Sequence, residues 1–341
     1  MRKSRVLLLI ACAMFALFML RAGSAAYFAS KIDSQGNRIS AGTLYIGGES
    51  GGRGMLDEAI ALGDLVPGAE PYRIELKVKN LGTMTAYING ISAEIAESDE
   101  MFLANALRVE CSSADGDLLY TGSLLALDGD VVPLQKRIAL EPGKVEDLCI
   151  SVQLDERAGN WYKGKRIEFS LAVYAGQRPD QPVGRMAVLP DAAGVQAALD
   201  AARPGDVVLV PPGRYGLLTV SVPGVTVKSQ SVVFDTEVEG FLIDPKGAGG
   251  SDQEAVVIQG FTVNDRGGDG GIAVRSGQVR IADNIIRSAG SAVVAAGSAK
   301  ACVIRNDLTD SSGLPASHGS GERFFAHYNL GVDLDPGEHA L

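Results

Sequence analysis

Three charged residues crowd one glycine-bounded loop, Asn264–Gly271, in which Asp265 and Asp269 flank Arg266. Carboxylates beside a cationic side chain are the groups that general acid–base work draws on, one giving a proton and another taking one. Asp283 would join them if the chain passed the same place one turn later. Yet Gly267-Gly268 divides the set and Gly270-Gly271 ends it, and so many glycines make a turn the simpler reading. No catalytic residue is assigned; Asp265, Arg266 and Asp269 stand only as the candidates of an enzymatic alternative. No nucleotide-binding or nucleophile-elbow motif occurs in the sequence.

The element that would carry this loop is a repeat. Ile258, Ile281 and Ile304 stand 23 residues apart, and one more step reaches His327. Gly260, Asp283, Asn306 and Asn329 follow the anchors by two positions, and Val263, Ile286 and Thr309 follow the first three by five. A unit this short cannot bury its own apolar face, so it gains a core only by stacking on the next turn. The spacing predicts a parallel β-helix with Ile and Val inside and Gly, Asp and Asn at corners that need special backbone. Cys302, beside an anchor, reads as a small core residue. Before the repeat, Val195, Ala198, Leu199 and Ala202 recur at helical spacing, which predicts a short amphipathic helix capping the first coil. Glu237–Glu254 reads as a glycine-rich interruption.

The 341 residues, 42 glycines and scarce helical periodicity indicate two domains that are mostly β, and the net charge of -10 argues against nucleic acid or an anionic membrane as partner. Residues 1–26 have the order of a cleavable export signal: Arg2, Lys3 and Arg5, an apolar run, then small residues ending near Ala26. No second hydrophobic segment predicts a stable membrane anchor. Residues 27–176 alternate apolar and polar side chains in runs bounded by Gly and Pro, such as Ile74–Lys79, Ala86–Ile95, Leu148–Leu154 and Ile167–Tyr174, the pattern of an antiparallel sandwich. Ala41–Ile46 reads as a further strand and Glu97–Arg108 as a short helix. Residues 177–190 carry three prolines and no periodicity and read as a linker to the β-helix domain, 191–341.

Cys111 and Cys149 both fall in the sandwich. Export favours a disulfide, which would contribute at most about 4 kcal/mol on the chain-entropy scale; two buried thiols are the equal alternative.

Within residues 1–176, Ala26-Tyr27-Phe28 with Asn37–Leu44, Leu65-Val66-Pro67-Gly68 with Val78–Thr83, and Pro142-Gly143 with Asn160–Gly164 resemble TasA/camelysin-type bacterial proteins. The resemblance implies a jelly-roll-like sandwich, removal of the signal by a signal peptidase, and assembly into extracellular fibres of a biofilm matrix. Self-association or joining a related fibre subunit would follow, with Tyr27–Ile46 completing a neighbour's sheet. An exposed sheet edge is a ready template for such a strand. For a lone monomer, Ala41–Ile46 is more simply the first strand of its own sandwich. Peptidase activity is not expected: His-Glu-x-x-His is absent, and the three histidines, His318, His327 and His339, lie beyond the sandwich. The acidic run Glu97-Ser98-Asp99-Glu100 could hold calcium, but a solvated loop is the simpler reading; no other cofactor is expected.

Residues 191–331, with Gly205–Tyr215, Gly224–Ser229, Val257–Val263 and Ala326–Gly331, are similar to right-handed β-helices of the pectin-lyase-like superfamily. That resemblance implies fold; the superfold hosts lyases, hydrolases and plain adhesins. Its lyases use carboxylates to hold calcium and a basic residue to take a proton, and its hydrolases use clustered aspartates. The expectation is therefore an all-β protein, a jelly-roll-like sandwich followed by a short right-handed parallel β-helix with an N-terminal capping helix. It would serve as an exported structural or adhesive component of the cell surface or matrix. A carbohydrate-active enzyme or glycan-binding module is the alternative.

Overall fold

The computed structural model describes residues 29–31, 46–50, 60–62, 65–96, 102–159, 162, 165–179, 187–190, 194–245, 255–265, 267, 271–296, 299–311, 316–318, 323–327 and 329. The export signal, the Glu97–Glu100 run, Arg266, Asp269 and His339 lie outside the described residues.

Two antiparallel sheets form the first domain. One orders β1 (Ala29–Lys31), β10 (Ile167–Gly176), β5 (Ala86–Ile95) and β8 (Val132–Leu140), with β3 (Ile60–Leu62) also on β10. The other orders β2 (Ile46–Ser50), β4 (Tyr72–Asn80), β9 (Val145–Leu154), β6 (Leu107–Ser113) and β7 (Leu118–Ser123). Strand β4 buries every second residue, Ile74, Leu76, Val78 and Asn80, because successive side chains point to opposite faces. The expected helix over Glu97–Arg108 is a single turn, α1 (Leu103–Ala106); from Leu107 the chain is strand β6. A second turn, α2 (Leu124–Leu127), follows β7.

The same alternation separates the two cysteines. Cys111 stands opposite Ile150 and is buried, whereas Cys149 stands opposite Ser112 on the other face, and both thiols are free. The disulfide alternative therefore does not hold in this structure. Burial pushes the Cys111 thiol up to about 12, which leaves it protonated and inert.

The second domain is a right-handed parallel β-helix of about four turns. One of its two sheets stacks β11 (Ala187–Val188), β12 (Val207–Val210), β14 (Thr226–Ser229), β16 (Val256–Gln259), β19 (Gln278–Ala282), β22 (Lys300–Ile304) and β24 (Arg323–His327). The segment read as linker thus ends in a strand of this sheet. A second wall contains β13 (Gly213–Val220), β15 (Thr236–Ile243), β17 (Thr262–Asp265), β18 (Ile272–Val274), β20 (Ile285–Ser288), β21 (Val293–Ala296) and β23 (Ala316–His318). Residues Glu237–Ile243 are therefore strand rather than interruption, and only 246–254 of that segment lie outside the described residues. Helix α3 (Val195–Ala201) caps the proximal end with Val195 and Leu199 buried and Ala198 and Ala202 packed beside them, as the helical spacing predicts.

Stacking makes the core a set of columns, one of which runs Val208, Val227, Ile258, Ile281, Val303. The 23-residue anchor series slips here by one, because Ile281 lies on Val303 and not on Ile304, so this coil is 22 residues long. Ile304 consequently turns outward beside Cys302, and Leu308, not Thr309, is the buried residue of that coil. Cys302 is likewise half-exposed rather than core.

The shortened coil also shifts the corner. The left-handed residues are Gly260, Asp283 and Arg305, at φ 86°, 56° and 52°. The residue after each supplies an internal ladder. Asn284 Oδ1 accepts the Phe261 N–H at 3.0 Å, Asn306 Oδ1 the Asn284 N–H at 2.9 Å, and Asn329 Oδ1 the Asn306 N–H at 2.8 Å. The side-chain amides donate to strand carbonyls, so the fully buried Asn284 and Asn306 are satisfied as buried polar groups must be, and the half-buried Asn329 donates in the same way.

Candidate functional site

Two polar sites emerge from this architecture, on different walls of the β-helix. The larger is an open groove of about 720 Å3 on the outer face of the second wall. Among the described residues the wall itself builds it, bending where β15 leaves β17 and continues on β18. Gly240 sits at the bend, and a Cβ there would meet the Gly271 carbonyl at 3.0 Å, the backbone that accepts the Phe241 N–H at 3.1 Å. Glycine is required because the next coil approaches so closely.

Along the groove, outward positions of the strands alternate in charge. Arg214 pairs with Glu237 at 3.2 Å, Glu239 follows two residues on, and Asp265 and Arg275 close the far side. Leu217, 58% exposed, provides an apolar floor. Carboxylates and guanidiniums around a shallow apolar strip can hydrogen-bond a hydroxyl-rich chain lying along it. The Thr-Glu-Val-Glu-Gly run in β15 carries the sequence signal for Glu237 and Glu239, since period-2 alternation places both outside.

Of the loop candidates, only Asp265 is among the described residues, and its carboxylate is engaged in building a corner. Oδ1 accepts the Gly267 N–H and Oδ2 the Ser288 hydroxyl of the next coil, each at 2.8 Å. Asp283 does not join it. It follows β19 at a different corner, where Arg305 grips it through Nε at 2.8 Å and Nη2 at 2.7 Å and Gln259 donates at 2.8 Å. One coil on from Asp265 lies Ser288, 23 residues later, whereas Asp283 is only 18 residues on and so falls at another corner. Among the described residues no group of three His, Cys, Asp or Glu could hold a metal ion.

The second site is the seam between domains. Lys228 on β14 is 5% exposed and donates to Asp130 at 2.6 Å and to the Asp128 carbonyl at 2.5 Å. Arg280, Arg305 and Gln259 line a small pocket of about 260 Å3 beside it. Burial raises the Asp128 pKa, more than the Ile95 N–H and Lys228 lower it. Nothing in the sequence marks these residues as partners, because they stand about a hundred positions apart.

Comparison of the chain with protein-family models, with curated proteins and with solved structures finds no match. The β-helix thus rests on the observed stacking, and the TasA/camelysin resemblance of residues 1–176 on its motifs alone.

Proposed function

We propose that this protein is an exported structural or adhesive component of a bacterial cell surface or extracellular matrix, without catalytic activity, in which the sandwich polymerises or docks and the β-helix is displayed. The observation that carries this is the hold on the N-terminal segment. Among the described residues, strand β1 is bound to β10 by three residue pairs, Ala29–Gly176, Ser30–Ala175 and Lys31–Tyr174, at the edge of its sheet. A strand so short contributes little where it lies, and the edge it covers is one that the same segment of another copy can fill. Contacts of that kind run head to tail and give filaments. The TasA/camelysin resemblance supports the same reading.

Electron microscopy of protein beginning at Tyr27, beside protein beginning at Gly47, tests it. Filaments are expected only from the longer chain; equal behaviour of the two removes the donor-strand role.

A second reading is favoured by the groove, whose charged rim and exposed Leu217 suit a polysaccharide. Retention on a polysaccharide column without released product supports a glycan-binding face. Hydrolysis or β-elimination of a uronate polymer, lost in the double variant Asp265→Ala, Asp269→Ala, replaces the structural reading with an enzymatic one.

A further inference from the structure

The asparagine ladder has a fourth rung, and it comes from the sandwich. In the coil before Asn284 the ladder position is Phe261, whose ring packs edge-on against Phe241 at 5.1 Å and cannot accept a hydrogen bond. The Phe234 amide, one coil earlier, would therefore lack the partner that Phe261, Asn284 and Asn306 each have. Asn105, fully buried on α1, supplies it. Its Oδ1 accepts the Phe234 N–H at 2.8 Å, its Nδ2 donates to the Ser231 carbonyl at 3.4 Å, and its main-chain carbonyl accepts the Val233 N–H at 3.1 Å.

The corner so held is strained. Val233 and Phe234 have φ of 57° and 59°, two consecutive residues in the left-handed region, neither of them glycine and one β-branched. Such backbone persists only where its surroundings over-determine it. Asn105 binds both amides, and Phe102, itself at φ 66°, stacks edge-on against Phe234 at 5.1 Å. Gly260 faces the same corner, where a Cβ would lie at ordinary contact distance from Asn105 Nδ2, 3.6 Å, and crowd Ser229 Cβ at 3.2 Å.

We propose that the sandwich is the folding template of the β-helix: Asn105 fixes the Val233–Phe234 corner and so sets the register on which the later coils stack. The proposal is independent of what the protein assembles with.

Hydrogen exchange and refolding of the full chain test it, with Asn105→Ala and the apolar, similarly sized Asn105→Leu. Removing the side-chain rung leaves the buried Phe234 amide unsatisfied, so Phe234 should lose protection by about ten- to a hundredfold relative to Asn284 and Asn306, whereas Val233, whose amide donates to the main-chain carbonyl of residue 105, should lose less. After dilution from denaturant, β-helix amides should recover protection at least about tenfold more slowly than in the wild type, while sandwich amides such as Val109 recover at the wild-type rate. Unchanged protection, an equal loss everywhere, or normal β-helix refolding overturns the proposal. If neither variant folds, the wild-type chain decides: the Phe234 amide must exchange as slowly as that of Phe261, and exchange at the rate of an open loop overturns it.

Discussion

In the sandwich, a strand such as β4 buries one face and leaves the other to solvent, and each residue meets a partner from an unrelated stretch of chain across an antiparallel pair, as Glu75 meets Cys149 and Lys77 meets Asp147. In the β-helix, a residue meets its own counterpart one coil away, Ile258 on Ile281 and Asn284 on Asn306. The first arrangement tolerates varied side chains because many different contacts share the load. The second makes each column a chain of identical demands, so one polar rung or one shortened coil propagates to its neighbours. Where the two meet, β12 is buried on both faces: Val208 and Val210 join the β-helix core while Val207 and Leu209 join that of the sandwich. The two cores consequently meet across a single shared strand.

The sharpest way to break this comparison is at the shared seam. Lys228→Ala removes the cation that faces the buried Asp130, and should cost about 3–5 kcal/mol by denaturant titration, whereas Lys228→Met with Asp130→Leu should come within about 1 kcal/mol of wild type. A double variant as unstable as the single one would mean that the pair itself, and not its balance, holds the joint.

Next come matched cavities. Ile88→Ala in the sandwich and Ile281→Ala in the β-helix both empty a fully buried site and should cost about 2–5 kcal/mol. Only Ile281→Ala should also speed hydrogen exchange in the coils above and below, at Ile258 and Val303. Equal spreading in the two domains would refute the columnar account.

Gly260→Ala should cost about 1–3 kcal/mol in melting experiments, since it combines strain at φ 86° with crowding against Ser229, while alanine at Gly159, which meets no atom within 4 Å, should be nearly neutral.

The smallest effect is acid sensitivity. Burial raises the Asp155 pKa, but hydrogen bonds from Arg157 and Arg108 outweigh it and hold the group at about 2. An unfolded aspartate titrates near ~4, so the stability from this cluster is present above that pH and lost as pH falls towards about 2. Asp128 acts oppositely: its raised pKa favours the fold at low pH, and that contribution is lost as pH rises through the raised value. Asp155→Asn should flatten the acid limb of a pH–stability curve, and Asp128→Asn should remove the penalty at neutral pH.

The strands of both domains were legible because burial on one face writes a local period into the chain, two in β4 and one coil in the column through Ile258. The cap at Val195–Ala202 was legible for the same reason. Less visible was the groove: Glu237 and Glu239 alternate as outward strand residues should, but nearby glycines disguised β15 as a loop. Asp283 was misplaced because linear distance says nothing about which corner of a coil a residue occupies.

Two β architectures, their order and the polar corners were thus determined by the amino-acid sequence alone, since side-chain period is a property of neighbouring residues. The 22-residue coil, the opposite facing of Cys111 and Cys149, the pairing of Lys228 with Asp130 and the rung lent by Asn105 were decided only in the folded molecule. Each depends on packing between segments far apart along the chain, where a shift of one residue exchanges inside for outside and leaves the local pattern unchanged.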